Sequence, residues 1–166
     1  MTIKPFIRAA KATALAGIFF TGFSLAEAGE LVVEQAWARA TPGKAANGAA
    51  YVTLVNHGAN DILIGVESAV AKKTEIHTHT KKDGVMRMTP AGPLELATGA
   101  TVTFRPGGLH IMFMKLHAPL KEGEMVAFTL IFENAGKQPV MAKIMSVGAA
   151  GPEMSHKHGH QMKKSD

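Results

Sequence analysis

Histidine and methionine recur at every second position in three short segments of this chain. The segments are Glu75–His79, Val85–Met88 and Leu109–Met114. Side chains two residues apart on a β-strand point to the same face of the sheet. If the segments are strands, each presents a row of imidazoles or thioethers to one side.

Imidazole and thioether donors without a carboxylate or a thiolate at those positions indicate a site for Cu(I). Thioether sulfur is soft and uncharged and prefers a soft monovalent ion, whereas Ca²⁺ and Mg²⁺ prefer oxygen donors and zinc sites rarely use thioether. Such a site also suits an oxidising compartment, because methionine does not form disulfides. The chain has no cysteine, which excludes thiolate zinc sites, iron–sulfur clusters and cysteine-ligated blue copper.

Simple packing is the competing explanation for any one of these residues, because a methionine among apolar neighbours is most often a core residue. Three matching segments, with their His and Met residues within the 38 residues from His77 to Met114, are harder to explain in that way. Outside these segments we assign Met125, Met141 and Met145 to the core, His57 and His117 to loops, and Trp37 to a buried position.

Short apolar segments separated by turn residues must position the rows. Nine of them are predicted as strands, at Leu31–Arg39, Ala49–Asn56, Asp61–Val70, Lys73–Thr80, Val85–Met88, Ala100–Arg105, Leu109–Leu116, Met125–Glu133 and Gln138–Met145. Long helical periodicity is missing, so the pattern favours an antiparallel sandwich or a Greek-key barrel. The dipeptide Asp83-Gly84 predicts a two-residue hairpin turn that brings the first two rows together.

The two ends of the chain are predicted to lie outside this fold. Residues 1–28 have a basic start, 15 apolar or small residues and a small-x-small site, which predicts a signal peptide cleaved after Ala28. An uncleaved anchor is the alternative, but the apolar stretch is shorter than the roughly 20 residues that span a bilayer. We therefore expect export without stable membrane insertion, a domain over 29–147 and a flexible tail over 148–166.

The spacing of the donors resembles the motif of the PCu(A)C family, the DUF461-type periplasmic copper chaperones. That motif is a His, ten residues, a Met, twenty-one residues and then His-x-Met. Here His77 is followed by ten residues and Met88, and then by twenty-one residues and His110-Ile111-Met112. The likeness covers about residues 31–147.

The resemblance implies an all-β, cupredoxin-like Greek-key barrel or sandwich in the periplasm. It implies one Cu(I) ion bound by His77, Met88, His110 and Met112. Family members deliver copper to the CuA-bearing subunit of cytochrome c oxidase, some in partnership with a Sco-type thioredoxin-like protein. A periplasmic copper buffer or resistance protein, which sequesters copper without delivering it, would need the same ligands and is the alternative.

This chain departs from the family pattern at His79, where many members carry a methionine. His79, Met86 and Met114 are candidates for a supporting or exchange role near the copper ion. A simple packing role is the alternative for each of them.

A second group of donors lies in the C-terminal tail, where His and Met occupy every second position. Its members are Met154, His156, His158, His160 and Met162. Histidine-rich tracts bind Cu(II) well, so we expect the tail to bind Cu(II) near the Cu(I) site. A solvated tail with incidental metal affinity is the alternative.

Other classes of function find no support in the sequence. The formal charge of +5 is not concentrated in long basic runs, and one Trp and one Tyr give few aromatic side chains for nucleic-acid binding. No nucleophile and base set or phosphate-binding loop indicates an enzyme. A copper oxygenase with an N-terminal His ligand is excluded if cleavage leaves Gly29 first.

Overall fold

The computed structural model describes residues 31–82 and 84–152, and these residues form β-strands and no helix. The strands are β1 (Leu31–Arg39), β2 (Asn47–Asn56), β3 (Asp61–Glu67), β4 (Ala71–Lys82), β5 (Val85–Pro90), β6 (Leu94–Leu96), β7 (Thr101–Thr103), β8 (His110–Leu116), β9 (Met125–Phe132) and β10 (Lys137–Met145). The all-β prediction is confirmed, and each of the nine predicted strands overlaps an observed one. The additional strand, β6, has only three residues, which is too short for an alternation pattern to reveal.

The strands form one ten-stranded sheet in the order β5-β4-β8-β2-β1-β10-β9-β3-β6, with β7 also paired to β2. Strands that are distant in the chain therefore become neighbours, as β8 does between β4 and β2. One pair departs from the antiparallel arrangement expected from the sequence, because β1 and β10 are parallel. The whole domain connects these two strands, so the hairpin geometry that enforces antiparallel pairing does not apply to them.

One apolar core lies on the inner face of this sheet. Alternate residues of the strands enter it, including Leu54, Ile111, Phe113, Leu130 and Ile144, all of them at most 2% exposed. The prediction that Trp37 is buried is confirmed, and its ring stacks on that of Tyr51 with centroids 4.3 Å apart.

Two of the three methionines assigned to the core lie on the surface instead. Met125 is 52% exposed and Met141 is 58% exposed, whereas Met145 is partly buried against the core. The strand alternation explains the error, because Val140 and Ala142 on either side of Met141 both point inward. His57 and His117 lie outside the strands and are exposed, as predicted.

A tight turn joins β4 to β5, and the register pairs Lys82 with Val85 across it. Gly84 has a φ of 80°, a backbone conformation that a side chain with a Cβ adopts only at a cost. The predicted hairpin is therefore present, although Asp83 itself lies outside the described residues. The predicted signal peptide over residues 1–28 also lies outside them and stays a prediction.

Candidate metal centre

The three segments rich in His and Met become adjacent strands at one end of the sheet, in the order β5, β4, β8. Met88 on β5 lies opposite His79 on β4, and His77 on β4 lies opposite His110 on β8. Met112 follows His110 by two residues and so lies on the same face. The sheet register thus places all four predicted ligands on one face, within three neighbouring strands.

The other face of β4 and β8 belongs to the core, which holds these two strands in place. Ile76 and Ile111 lie opposite each other and are 7% and 0% exposed, and Phe113 is fully buried. Each histidine of the site therefore follows or precedes a core residue in the chain. Because well-packed core side chains sit in single rotamers, the backbone that carries the imidazoles is held firmly.

His77 and His110 are the two buried histidines of the described region, and both have one satisfied ring nitrogen. His110 Nδ1–H donates to the carbonyl oxygen of Gly108 at 2.9 Å. His77 Nε2–H donates to a carboxylate oxygen of Glu75 at 3.1 Å. The ring centroids are 6.0 Å apart.

The second nitrogen of each ring is buried and has no hydrogen-bond partner among the described residues. These atoms are Nδ1 of His77 and Nε2 of His110. Since a carbonyl or carboxylate oxygen can only accept, the bonded nitrogens carry the protons and the free nitrogens carry lone pairs. A buried lone pair without a donor is unfavourable, and this arrangement is the one that metal-binding histidines adopt, with the remote N–H held by an oxygen.

The two predicted methionine ligands lie at a cleft of about 490 Å³. Met88, His110 and Met112 line the cleft together with His79, and other lining residues include Arg39, Tyr51 and Val147. His77 is not part of the lining and lies beside His110. Met88 is 44% exposed, and Met112 is partly buried, so the site reaches from the buried imidazoles to the surface.

The imidazole of His110 is held in its neutral, ligand-competent form. Burial lowers the pKa of His110 below its ordinary value of 6.5, the hydrogen bond to Gly108 opposes that shift, and the neighbouring His79 and His77 add to it. A neutral imidazole is the form that coordinates a metal, because protonation removes its lone pair. At neutral pH the His110 imidazole therefore has a lone pair available for a metal.

Of the remaining candidate residues of these strands, only His79 lies beside the four predicted ligands and lines the cleft. The ring of His79 lies 5.1 Å from that of His110, and its Nδ1 is 3.4 Å from the Gly108 carbonyl oxygen. Met86 is 56% exposed and lies opposite Lys81. Met114 lies between Asn47 on β2 and Lys73 on β4, and neither Met86 nor Met114 lines the cleft.

Histidine and carboxylate side chains alone do not form a metal-binding group in the described part of the chain. No group of three or more His, Asp or Glu side chains with metal-binding geometry occurs in residues 31–82 and 84–152. The tail candidates Met154, His156, His158, His160 and Met162 lie outside the described residues.

The sequence analysis missed two groups that hydrogen-bond the buried histidines, namely the Glu75 side chain and the Gly108 carbonyl oxygen. Glu75 precedes His77 by two residues and therefore shares its face on β4, so its spacing was a usable signal. Lys73 also bonds the Glu75 carboxylate at 2.6 Å, and the hydrogen bonds from Lys73 and His77 lower the pKa of Glu75. The Gly108 carbonyl has no side-chain signature and could not be found from the sequence.

Comparison with known proteins gives one matching family and several similar structures. The family model described as "Putative lipoprotein LpqE-like" matches residues 31–144. A protein named "Putative lipoprotein Lxx21020", from Leifsonia xyli subsp. xyli (strain CTCB07), is 31% identical over 120 residues, which are 71% of each chain. In the described part of the chain, no helix is long and apolar enough to cross a membrane.

The similar solved structures include PCuAC domains without and with copper, and the Cu(I) form of a further protein. The apo PCuAC domain of PmoF2 is 26% identical with a TM-score of 0.61, covering 75% of this chain and 96% of that one. The copper-bound PCuAC domain of PmoF2 is 25% identical with a TM-score of 0.60, covering 72% of this chain and 95% of that one. The Cu(I) form of DR1885 from Deinococcus radiodurans is 30% identical with a TM-score of 0.54, covering 72% of this chain and 81% of that one. The fold is therefore the cupredoxin-like β fold of PCuAC domains.

Proposed function

The chain belongs to the LpqE-like family, and from that premise we propose that it is a copper chaperone that binds one Cu(I) ion through His77, Met88, His110 and Met112. One observation carries the proposal. Two buried imidazole nitrogens, Nδ1 of His77 and Nε2 of His110, lack partners among the described residues and lie on the sheet face that also holds the two thioethers. The copper-bound structures of similar domains support the same cargo.

The chemistry of the donors favours Cu(I) over the other common metal ions. Two neutral nitrogens and two neutral sulfurs leave the charge of the bound ion uncompensated, which favours a monovalent ion over a divalent one. Thioether sulfur is also a softer ligand than zinc or calcium sites employ. A thioether carries no proton to lose, so binding of Cu(I) releases no proton from the ligands while both imidazoles are neutral.

Delivery of the ion would begin at the exposed end of the site. Met88 lies on the edge strand β5 and is 44% exposed, so an incoming ligand can displace its thioether first. The buried imidazoles would release the ion last. Transfer then requires only that the acceptor bind copper more tightly, and no energy source or catalytic acid is involved.

The acceptor that the family resemblance implies is the CuA-bearing subunit of cytochrome c oxidase, with a Sco-type thioredoxin-like protein as a partner. This delivery would take place in the periplasm after removal of residues 1–28. The names of the family and of the relative, both lipoproteins, support an exported protein. In a strain that lacks this chain, we expect oxidase activity to fall and added copper to restore it. Copper sensitivity with normal oxidase activity would instead establish the alternative role as a copper buffer.

The C-terminal tail is proposed to bind Cu(II) close to the same cleft. Residues 147–149, which precede the tail donors in the chain, lie at that cleft: Val147 lines it, and Arg39, another lining residue, donates Nε–H to the Ala149 carbonyl oxygen at 2.8 Å. Truncation after Gly148 should abolish Cu(II) binding while Cu(I) binding remains, and retention of both would refute this role of the tail.

The copper-binding proposal is tested by competition with a Cu(I) chelator under anaerobic conditions. The wild-type chain should bind one Cu(I) ion tightly. The double variant Met88→Leu, Met112→Leu should bind Cu(I) at least about 100-fold more weakly, because the loss of a residue that merely contacts a ligand already lowers metal affinity by roughly 10- to 100-fold. The double variant Met125→Leu, Met141→Leu is the matched control, because both of these methionines are exposed and lie outside the cleft. Equal affinities for the two double variants would refute the ligand assignment.

A further inference from the structure

We propose that Glu75 is a positioning residue of the copper site, which holds the His77 ring so that Nδ1 is the nitrogen that binds copper. This inference rests on the proposed function. It concerns a carboxylate that is not itself a ligand, and it assigns the coordinating atom of His77.

The Glu75 carboxylate is held at both oxygens. One oxygen accepts from His77 Nε2–H at 3.1 Å, and the other accepts from the Lys73 ammonium at 2.6 Å. The three residues alternate along one face of β4. With each oxygen engaged by a different donor, the carboxylate has little freedom to turn away from the imidazole.

This contact determines which ring nitrogen can bind a metal. A carboxylate only accepts hydrogen bonds, so the proton of the neutral ring stays on Nε2 and the lone pair stays on Nδ1. Nδ1 of His77 is buried and has no hydrogen-bond partner among the described residues. The same contact fixes the ring plane, since Nε2 must continue to face Glu75.

The two histidines are oriented by different kinds of acceptor. His110 is held through Nδ1 by the backbone carbonyl of Gly108 at 2.9 Å and presents Nε2. His77 is held through Nε2 by a side chain and presents Nδ1. A backbone carbonyl cannot be removed by substitution, whereas Glu75 can, so the orientation of His77 can be tested separately from that of His110.

The position of Glu75 makes it possible to distinguish a specific effect on His77 from the general effect of removing a surface charge. Its side chain is 28% exposed, and it lies opposite Met112 in the sheet register. Lys137 and Glu67 form an ion pair of 2.7 Å between β10 and β3, close in length to the 2.6 Å pair of Lys73 and Glu75. In the described region neither Lys137 nor Glu67 forms a hydrogen bond or ion pair with a histidine. That pair provides a control of the same chemistry away from the site.

The first test measures Cu(I) affinity of the full chain by chelator competition. Glu75→Ala should weaken binding by roughly 10- to 100-fold, the usual effect of losing such an outer contact. Glu75→Gln should restore most of the affinity, because its amide oxygen can still accept from Nε2–H. Glu67→Ala should match wild type. Wild-type affinity in Glu75→Ala would overturn the inference, as would equal losses in Glu75→Gln and Glu75→Ala.

The second test does not involve copper and so separates this inference from the proposed function. In ¹⁵N-edited NMR spectra of the apoprotein, the Nε2–H proton of His77 should be protected from solvent exchange and visible in wild type and Glu75→Gln. It should be lost in Glu75→Ala, while the Nδ1–H signal of His110 remains as the internal reference for an intact fold. A wild-type chain that shows the His77 signal but binds no Cu(I) would refute the proposed function alone. Persistence of that signal in Glu75→Ala would refute the positioning role.

Discussion

His77 and His110 lie opposite each other on neighbouring strands with their ring centroids 6.0 Å apart, and they present different nitrogens. His77 leaves Nδ1 without a partner and His110 leaves Nε2, each buried. In both rings the other nitrogen forms a hydrogen bond, to the Glu75 carboxylate for His77 and to the Gly108 carbonyl oxygen for His110. The orientation of the two rings is therefore set before any metal binds, which reduces the ordering cost of binding.

The two histidines nearest the cleft should differ in their importance for Cu(I). His110→Ala removes a buried ligand nitrogen and should weaken Cu(I) binding by at least about tenfold more than His79→Ala does. His79 is only partly buried and has a longer contact, 3.4 Å, with the Gly108 carbonyl oxygen. Chelator competition with the two single variants measures the difference. A larger loss in His79→Ala would show that His79 replaces one of the four assigned ligands.

Two methionines on the same face of β8 offer a matched pair. Met112 lines the cleft and Met114, two residues further on, does not. Met112→Leu should lower Cu(I) affinity by at least about tenfold, and Met114→Leu should change it by less than about threefold. Both changes nearly conserve volume and should each cost less than about 1.5 kcal/mol of stability. Cu(I) titrations and thermal unfolding of each variant check the two expectations, and equal Cu(I) affinities would contradict the assignment of Met112.

Gly84, in the turn between β4 and β5, should contribute to the stability of the fold. Gly84→Ala places a Cβ at a φ of 80° and should lower the free energy of unfolding by about 1 kcal/mol. Gly43→Ala is the control, because Gly43 does not have a positive φ and a Cβ there meets nothing within 4 Å. Denaturant unfolding of both variants gives the comparison. If the two variants were equally stable, the turn would not require glycine.

A buried carboxylate outside the metal centre should govern part of the acid stability. Burial raises the pKa of Asp61, but backbone N–H donors from Asn134, Ala135 and Ile62 outweigh burial, and the net pKa is below the ordinary 3.8. The ionised form is therefore favoured by folding. Its contribution is present above about pH 3.8 and is lost as the pH falls through the lower pKa of the folded state.

Replacement of that residue provides the measurement. Asp61→Asn should destabilise the chain at neutral pH by on the order of 1–3 kcal/mol, because the amide cannot accept all of these hydrogen bonds. The difference from wild type should shrink below about pH 3.8. Urea unfolding at pH 7 and pH 3 tests this, with the exposed Glu95→Gln as the control. A difference that stays constant with pH would mean that the charge of Asp61 is not the stabilising feature.

The strands and the turn were predictable because their signals are local. Short apolar segments separated by turn residues identified nine strands, and Asp83-Gly84 identified the hairpin that pairs His79 with Met88. The alternation of side chains along β10 contained the information that Met141 is exposed, since its neighbours Val140 and Ala142 are buried. The strand β6 and the parallel pairing of β1 with β10 had no comparable local signal.

The sequence by itself determined which side chains share a face, because the period of two along a strand is a property of the backbone. Only the tertiary structure decided which faces meet, since the pairing of His77 with His110 joins residues 33 positions apart in the sequence. It also decided which nitrogen of each ring is free, through Glu75 for His77 and through the Gly108 carbonyl for His110. Hydrogen bonds of this kind depend on atomic positions in the folded sheet, and residue spacing does not specify them.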